Sequence, residues 1–175
     1  FVDALILGGN IRRPVRFVMY HKIFHIPVLN FIFRTARAIP IAPAKEDPAL
    51  MEQAFQDIAA ALADGDVVGI FPEATISRSF ELANFKTGAA RIAHQAGVPL
   101  VPCVMWGSQR IWTKDLPKHF RNVPVIVRYG EPVHLTGDAE AVANEVGREL
   151  GIDRVLERMA TEFDADGVPP MSTIR

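Results

Sequence analysis

Val67-Val-Gly-Ile-Phe-Pro-Glu-Ala-Thr75 is a short apolar, β-branched run that meets a proline and then presents a carboxylate and a hydroxyl. Such a run reads as a buried strand, and Pro72 ends it because proline has no N–H to give to a sheet. In α/β sheets, ligands bind just past the carboxyl ends of strands. Glu73 is therefore placed to accept hydrogen bonds from substrate hydroxyls, while Thr75 and the backbone N–H groups that follow can donate. The alternative is a Pro-Glu turn whose polar groups simply cap the next element.

The same strand pattern recurs on either side. Val15–Met19, Ala38–Ile41, Leu100–Trp106 and Val123–Tyr129 are short, rich in β-branched or aromatic residues, and bounded by turn or polar residues, so each is predicted to be a mostly buried strand. Helical patterns lie between them. Asp47-Pro48 is an N-cap with Pro at the first helical position; Met51, Phe55, Ile58 and Leu62 fall on one face, and Gly65 follows as a stop. A second helix is predicted from near Thr87 to just before Gly97, with Ala90, Ile92 and Ala93 as its apolar contacts. Thr136 to Phe163 reads as two helical pieces interrupted at Gly147 and Gly151, and 164–175 as a flexible tail. Alternating strands and helices predict an α/β fold: a single domain, residues 1–163, with a mostly parallel mixed sheet flanked by helices.

Size and charge agree with one domain. The chain has 175 residues, 49% of them apolar, enough for one core and too few for two independent domains. A net charge of −1 is too balanced for a nucleic-acid-binding protein. That balance hides an asymmetry. Residues 1–45 carry Arg12, Arg13, Arg16, Lys22, Arg34, Arg37 and Lys45 against only Asp3, and this basic end is also apolar. Ile23 to Phe33 is broken by His25, Pro27 and Asn30 and flanked by Lys22, Arg34 and Arg37. It is too short to span a bilayer. It suits either a segment lying in a membrane interface with its cations toward anionic headgroups, or a buried core helix with basic ends. The single cysteine, Cys103, cannot form an internal disulfide, which fits a reducing compartment. It is expected to be an inert buried thiol. The chain opens on Phe-Val-Asp with neither an initiator Met nor a signal-peptide pattern, which points to residues upstream.

Phe85-Lys86-Thr87-Gly88-Ala89-Ala90-Arg91 puts a lysine at the mouth of a helix with a small first turn. The helix N-terminus offers free N–H groups and the positive dipole end, and Lys86 adds a full charge, so the site suits a phosphate; Arg78 is a candidate second cation. The spacing is not that of a P-loop. A solvated cation near a helix start is the bland alternative for Lys86. Gly97-Val-Pro-Leu-Val-Pro-Cys-Val104 is a strand punctuated by prolines, which suits an irregular wall beside an apolar channel or an edge strand. Gly8-Gly9-Asn10 is not a dinucleotide fingerprint. His21 and His25 are four apart, but no carboxylate or Cys near them in sequence completes a metal set, and no metal is expected.

Taken in order, these blocks resemble the glycerophospholipid acyltransferases of the 1-acylglycerol-3-phosphate acyltransferase type, whose first motif is NHxSxxD and whose third is FPEGT followed by Arg. Phe1-Val2-Asp3-Ala4-Leu5 is similar to the tail of the first motif, Ala38-Ile-Pro-Ile41 to the second, Phe71-Pro-Glu-Ala-Thr75 to the third and Val98-Pro-Leu-Val-Pro102 to the fourth. Phe85-Lys86-Thr87-Gly88 matches a further family segment, and the resemblance covers residues 1–135. It implies a glycerol-3-phosphate acyltransferase-like fold. It also implies a catalytic histidine three residues before Phe1, acting as general base on the acceptor hydroxyl, with Asp3 holding its imidazole. Backbone N–H groups near Glu73 to Thr75 would stabilise the oxyanion, and Glu73, Ala74, Thr75, Arg78 and Lys86 would bind substrate.

The implied reaction moves a fatty acyl group from acyl-CoA or acyl carrier protein, as co-substrate, to the free hydroxyl of 1-acyl-glycerol-3-phosphate, with no cofactor. The implied partners are a membrane phospholipid or lysophospholipid and the acyl donor, with no nucleic acid. The implied location is peripheral or monotopic, on the cytoplasmic face of a membrane. The sequence departs from the pattern at three places: Ala74 stands for the glycine of FPEGT, Ile76 for the arginine after it, and Pro43 for the arginine that closes the second motif. Those departures motivate a second hypothesis, a catalytically impaired lipid-binding or regulatory module of the same fold. A third is that the chain is one domain of a larger fused protein.

Overall fold

β1 (Val15–Tyr20) is the axis of the fold in the computed structural model, which describes residues 2–73, 86–108, 111 and 124–135. Its β-branched and aromatic side chains suit a pleat covered on both faces, and Val15, Phe17, Val18 and Met19 are all buried. It pairs in parallel with β2 (Ile39–Ile41), Val18 opposite Ile39, and with β3 (Val67–Gly69), Phe17 opposite Gly69, giving the order β2-β1-β3. Parallel neighbours need crossover connections. They are supplied by α2 (Pro27–Thr35), after the short 3₁₀ helix His21–His25, and by α3 (Pro48–Ala63).

Side chains of a strand alternate between faces. Val15, Phe17 and Met19 cluster with Ala4 of α1 (Val2–Asn10) and Phe33 of α2. On the other face Val18 and Ile39 cluster with Ala54, Ile58 and Ala61 of α3. The result is a helix–sheet–helix sandwich, the α/β class expected from the alternating pattern. The Asp47 carboxylate accepts from the Leu50 N–H at 2.9 Å and Pro48 opens α3, as the sequence predicts. The buried stripe differs from the predicted one. Ile58 is shared, but its companions are Ala54 and Ala61, whose small side chains let the helix approach the sheet closely. Met51 and Phe55 are displaced to the flank, where they face α4 (Gly88–Ala96) across a groove that Leu62, still packed against the core cluster, also lines. α4 stops at Gly97, which takes the left-handed conformation (φ 64°) and returns its N–H to the Ala93 and His94 carbonyls.

Two predicted strands are shorter than their apolar runs. β3 ends at Gly69 rather than Phe71. The run Leu100–Trp106 is broken at Pro102: β4 is Cys103–Trp106, antiparallel to β5 (Ile126–Tyr129), while Leu100 forms a separate bridge with Val133, with N–H···O distances of 2.9 and 2.7 Å. Cys103 is a surface residue, not a buried one. Partial desolvation pushes its thiol pKa up. Val123, the helical pieces within 136–163 and the tail 164–175 lie outside the described residues.

Several of the early cations work at the amino ends of the strands. Arg16 lies 3.4 Å from Asp66 and donates to the Arg37 carbonyl, Arg37 reaches Asp66 at 3.8 Å, and Arg13 donates to the Gly65 carbonyl. These contacts fasten the start of β1 to the start of β3 and to the chain entering β2. Among the described residues no helix is long and apolar enough to cross a membrane.

Candidate functional site

The strand-end turn is positioned by an aromatic stack. A side chain at Gly69 would meet the Phe17 ring at 2.5 Å, so only glycine lets that ring lie across β3. The Phe17 ring then stacks on Phe71 at a centroid distance of 5.9 Å. Phe71 leads directly into Pro72 and the half-buried Glu73. The Lys86 N–H donates to the Pro72 carbonyl at 2.8 Å, which brings the mouth of α4 back against the end of the strand. Lys86 and Thr87 are exposed there, and Thr87 makes no side-chain cap to the helix, so the first turn of α4 keeps its anion-binding character. The apolar groove between α3 and α4, about 590 Å³, starts at Gly88 and is lined by Met51, Phe55, Leu62 and Ile92 with Arg91 at its side.

Asp3 lies in the first turn of α1, beside buried Ala4. It belongs to the helix rather than preceding it, and a carboxylate there is also favourable to the helix dipole. Only residues 11–14 separate α1 from β1, and a side chain at Gly8 would touch the Phe17 ring at 3.7 Å. α1 therefore packs against the Phe17 side of β1. Thus the Lys86 N–H is joined through the Pro72 carbonyl to the turn that carries Glu73, while Asp3 stands in the first turn of α1. Ala74, Thr75 and Arg78 lie outside the described residues.

One polar cluster at this end escapes a reading based on motifs. Tyr20 closes β1, and its hydroxyl donates to the Glu46 carboxylate (2.8 Å to Oε2); Lys22 Nζ lies 2.6 Å and His21 Nε2 3.2 Å from Glu46 Oε1. Lys22 first, then Tyr20, hold the Glu46 carboxyl down to about 2, and the same contacts raise the pKa of Lys22. The cluster ties the loop after β2 to the end of β1. The signal for it was available: Tyr20-His21-Lys22 follows a buried strand, just as Glu73 does. His21 and His25 rings sit edge to face at 6.1 Å, and among the described residues no group of three ligand side chains could hold a metal.

Glu73 and an exposed, lysine-bearing helix mouth thus lie together just past the end of β3 in an α/β fold. A family model described as Acyltransferase matches residues 1–106, and the chain belongs to that family. It is 29% identical over 114 residues to a 1-acyl-sn-glycerol-3-phosphate acyltransferase of Limnanthes douglasii, covering 65% of this chain and 40% of that protein. Its identity to the enzyme of that name from Bacillus subtilis is 27% over 146 residues, covering 83% of this chain and 68% of that one. The chloroplastic LPAT1 of Arabidopsis thaliana is 27% identical over 144 residues, covering 81% and 39%. The chain spans about two fifths of the length of the plant relatives. Its fold is similar to the crystal structure of PlsC, the 1-acyl-sn-glycerophosphate acyltransferase of Thermotoga maritima, with a TM-score of 0.68 and 22% identity, over 91% of this chain and 62% of that one.

Proposed function

We propose that the protein transfers a fatty acyl group from acyl-CoA or acyl carrier protein to the free hydroxyl of 1-acyl-glycerol-3-phosphate at a membrane surface. Lys86 and the first turn of α4 hold the acceptor's phosphate, and Glu73 accepts from its glycerol portion. The general base is a histidine of the HxxxxD pattern, upstream of Phe1, and Asp3 fixes its tautomer and stabilises the imidazolium. The acceptor hydroxyl gives its proton to the imidazole as its oxygen attacks the thioester carbonyl. The oxyanion collapses, the C–S bond breaks, and the departing thiolate takes the proton back. Backbone N–H groups after Pro72, in the stretch that includes Ala74 and Thr75, stabilise the oxyanion, and Arg78 adds charge for the phosphate in place of the arginine that Ile76 replaces.

The observation that carries this reading is the 2.8 Å hydrogen bond from the Lys86 N–H to the Pro72 carbonyl, because it sets a cationic helix mouth beside the Glu73 turn. The names of the relatives supply the acyl acceptor. The test is product formation: the full-length protein with labelled lysophosphatidate and either thioester donor is expected to yield phosphatidate and free thiol in equal amounts. Binding of lysophosphatidate with no product from either donor would instead favour the lipid-binding module suggested by Ala74, Ile76 and Pro43.

A further inference from the structure

α2 carries large apolar side chains on its outer face as well as its inner one. Its inner face packs into the core through Phe33, 2% exposed, with Leu29 and Ile32 against the same cluster. A surface helix ordinarily turns polar residues to water. Here Val28 is 70% and Phe31 75% exposed, three residues apart on one stripe, and Ile26 just before the helix is 46% exposed. These are among the most exposed large apolar residues of the described chain, and they are adjacent in sequence and space.

The charge around them has one sign. Between Asp3 and Glu46 the sequence holds no acidic residue. Lys22 precedes the helix, and Arg34 follows Phe31 by one turn, held by the Asn30 side chain at 2.6 Å rather than by a carboxylate. Lys22 and Arg37 each have an acidic partner, Glu46 and Asp66, and among the described residues no carboxylate pairs with Arg34, which leaves it for an outside anion. Protruding apolar side chains with cations at their edge are the composition of a helix that lies in a lipid headgroup layer. The helix starts at the carboxyl end of β1, the end where Glu73 and Lys86 gather.

We infer that the outward stripe of α2, Ile26, Val28 and Phe31 with Arg34, is a docking ledge for an anionic lipid surface. It rests on the proposed lipid acceptor and assigns the contact to particular residues. Docking there seats Phe31 and Val28 among acyl chains, sets Arg34 against headgroup phosphates, and brings the strand-end site close to the layer that holds the acceptor.

The test is sedimentation of the full-length protein with phosphatidylglycerol vesicles and with phosphatidylcholine vesicles, at low and high salt. The wild type is expected to bind the anionic vesicles more tightly, and less so at high salt. Val28→Ser/Phe31→Ser is expected to weaken that binding by at least about tenfold. Arg34→Gln is expected to reduce the salt dependence. Both substitutions are on the surface and should leave the melting temperature and the rate on acceptor dispersed below its aggregation concentration unchanged. That rate reports the proposed chemistry separately from docking. Wild-type protein that ignores anionic vesicles, variants that bind as wild type does, or a solution dimer that Phe31→Ser splits would each overturn the ledge.

Discussion

Asp3→Asn is expected to lower kcat by about 10³–10⁴-fold in the full-length protein, with KM for the acceptor within about threefold. The two side chains are nearly the same size, but Asn presents an N–H where the imidazole needs an acceptor, so the ring is held in the wrong tautomer and its cation goes unstabilised. In the proposed mechanism substrate binding is left to Glu73 and Lys86, so it should survive. Stability should change little, because a first-turn carboxylate contributes only about 0.3–1 kcal/mol through the helix dipole. Steady-state kinetics with a melting curve on the same sample separate the two roles. A variant within tenfold of wild type in kcat would reduce Asp3 to a favourable helix-start residue.

The second large effect is expected at the helix mouth. Lys86→Met keeps the apolar stem and removes the charge, and should raise KM for 1-acyl-glycerol-3-phosphate by about 10–100-fold, the size of one charge-assisted hydrogen bond. Because the phosphate is bound alike in ground and transition states, kcat should change less than threefold or so. An acceptor without a phosphate, 1-acylglycerol, should be used equally well by variant and wild type. Equal losses on both acceptors would mean that Lys86 only supports the backbone contact to Pro72.

The layered fold was legible because its central strand β1 is buried on both faces and its helix boundaries are chemical. Asp47-Pro48 and Gly97 act as the sequence indicates, and Pro72 marks the strand-end turn although β3 itself stops two residues earlier. What failed to show depends on partners distant in sequence. Leu100 pairs with Val133 while Cys103–Trp106 pairs with Ile126–Tyr129, so a single apolar run serves two separate pairings, and Pro102 falls between them. The inner stripe of α3 shifted from Met51 and Phe55 to Ala54 and Ala61 because closeness of approach to the sheet, not residue size, decides which positions are covered. The Tyr20–Glu46 cluster links the end of β1 to the loop after β2, which the parallel register sets beside it.

The strand-end and helix-mouth rules single out Glu73 and Lys86, and the Lys86 N–H to Pro72 carbonyl bond brings their two segments together. The need for glycine at 69 was not legible, since the Phe17 ring that demands it comes from the neighbouring strand. For α2, the hydrophobicity of Ile23 to Phe33 was plain, but its division between core and surface was not. Phe31 and Phe33 are two residues apart and almost opposite in exposure, which follows from the helical twist and the side on which the sheet lies.

The most direct test of the shared site is a structure of the full-length protein with a lysophosphatidate analogue that lacks the reactive hydroxyl. The expected complex has the phosphate about 3 Å from Lys86 Nζ at the first turn of α4, the glycerol against Glu73, and the carbon that would carry the hydroxyl directed toward the upstream histidine and Asp3. A phosphate bound away from Lys86, with Asp3 and Glu73 opening into separate hollows, would contradict it.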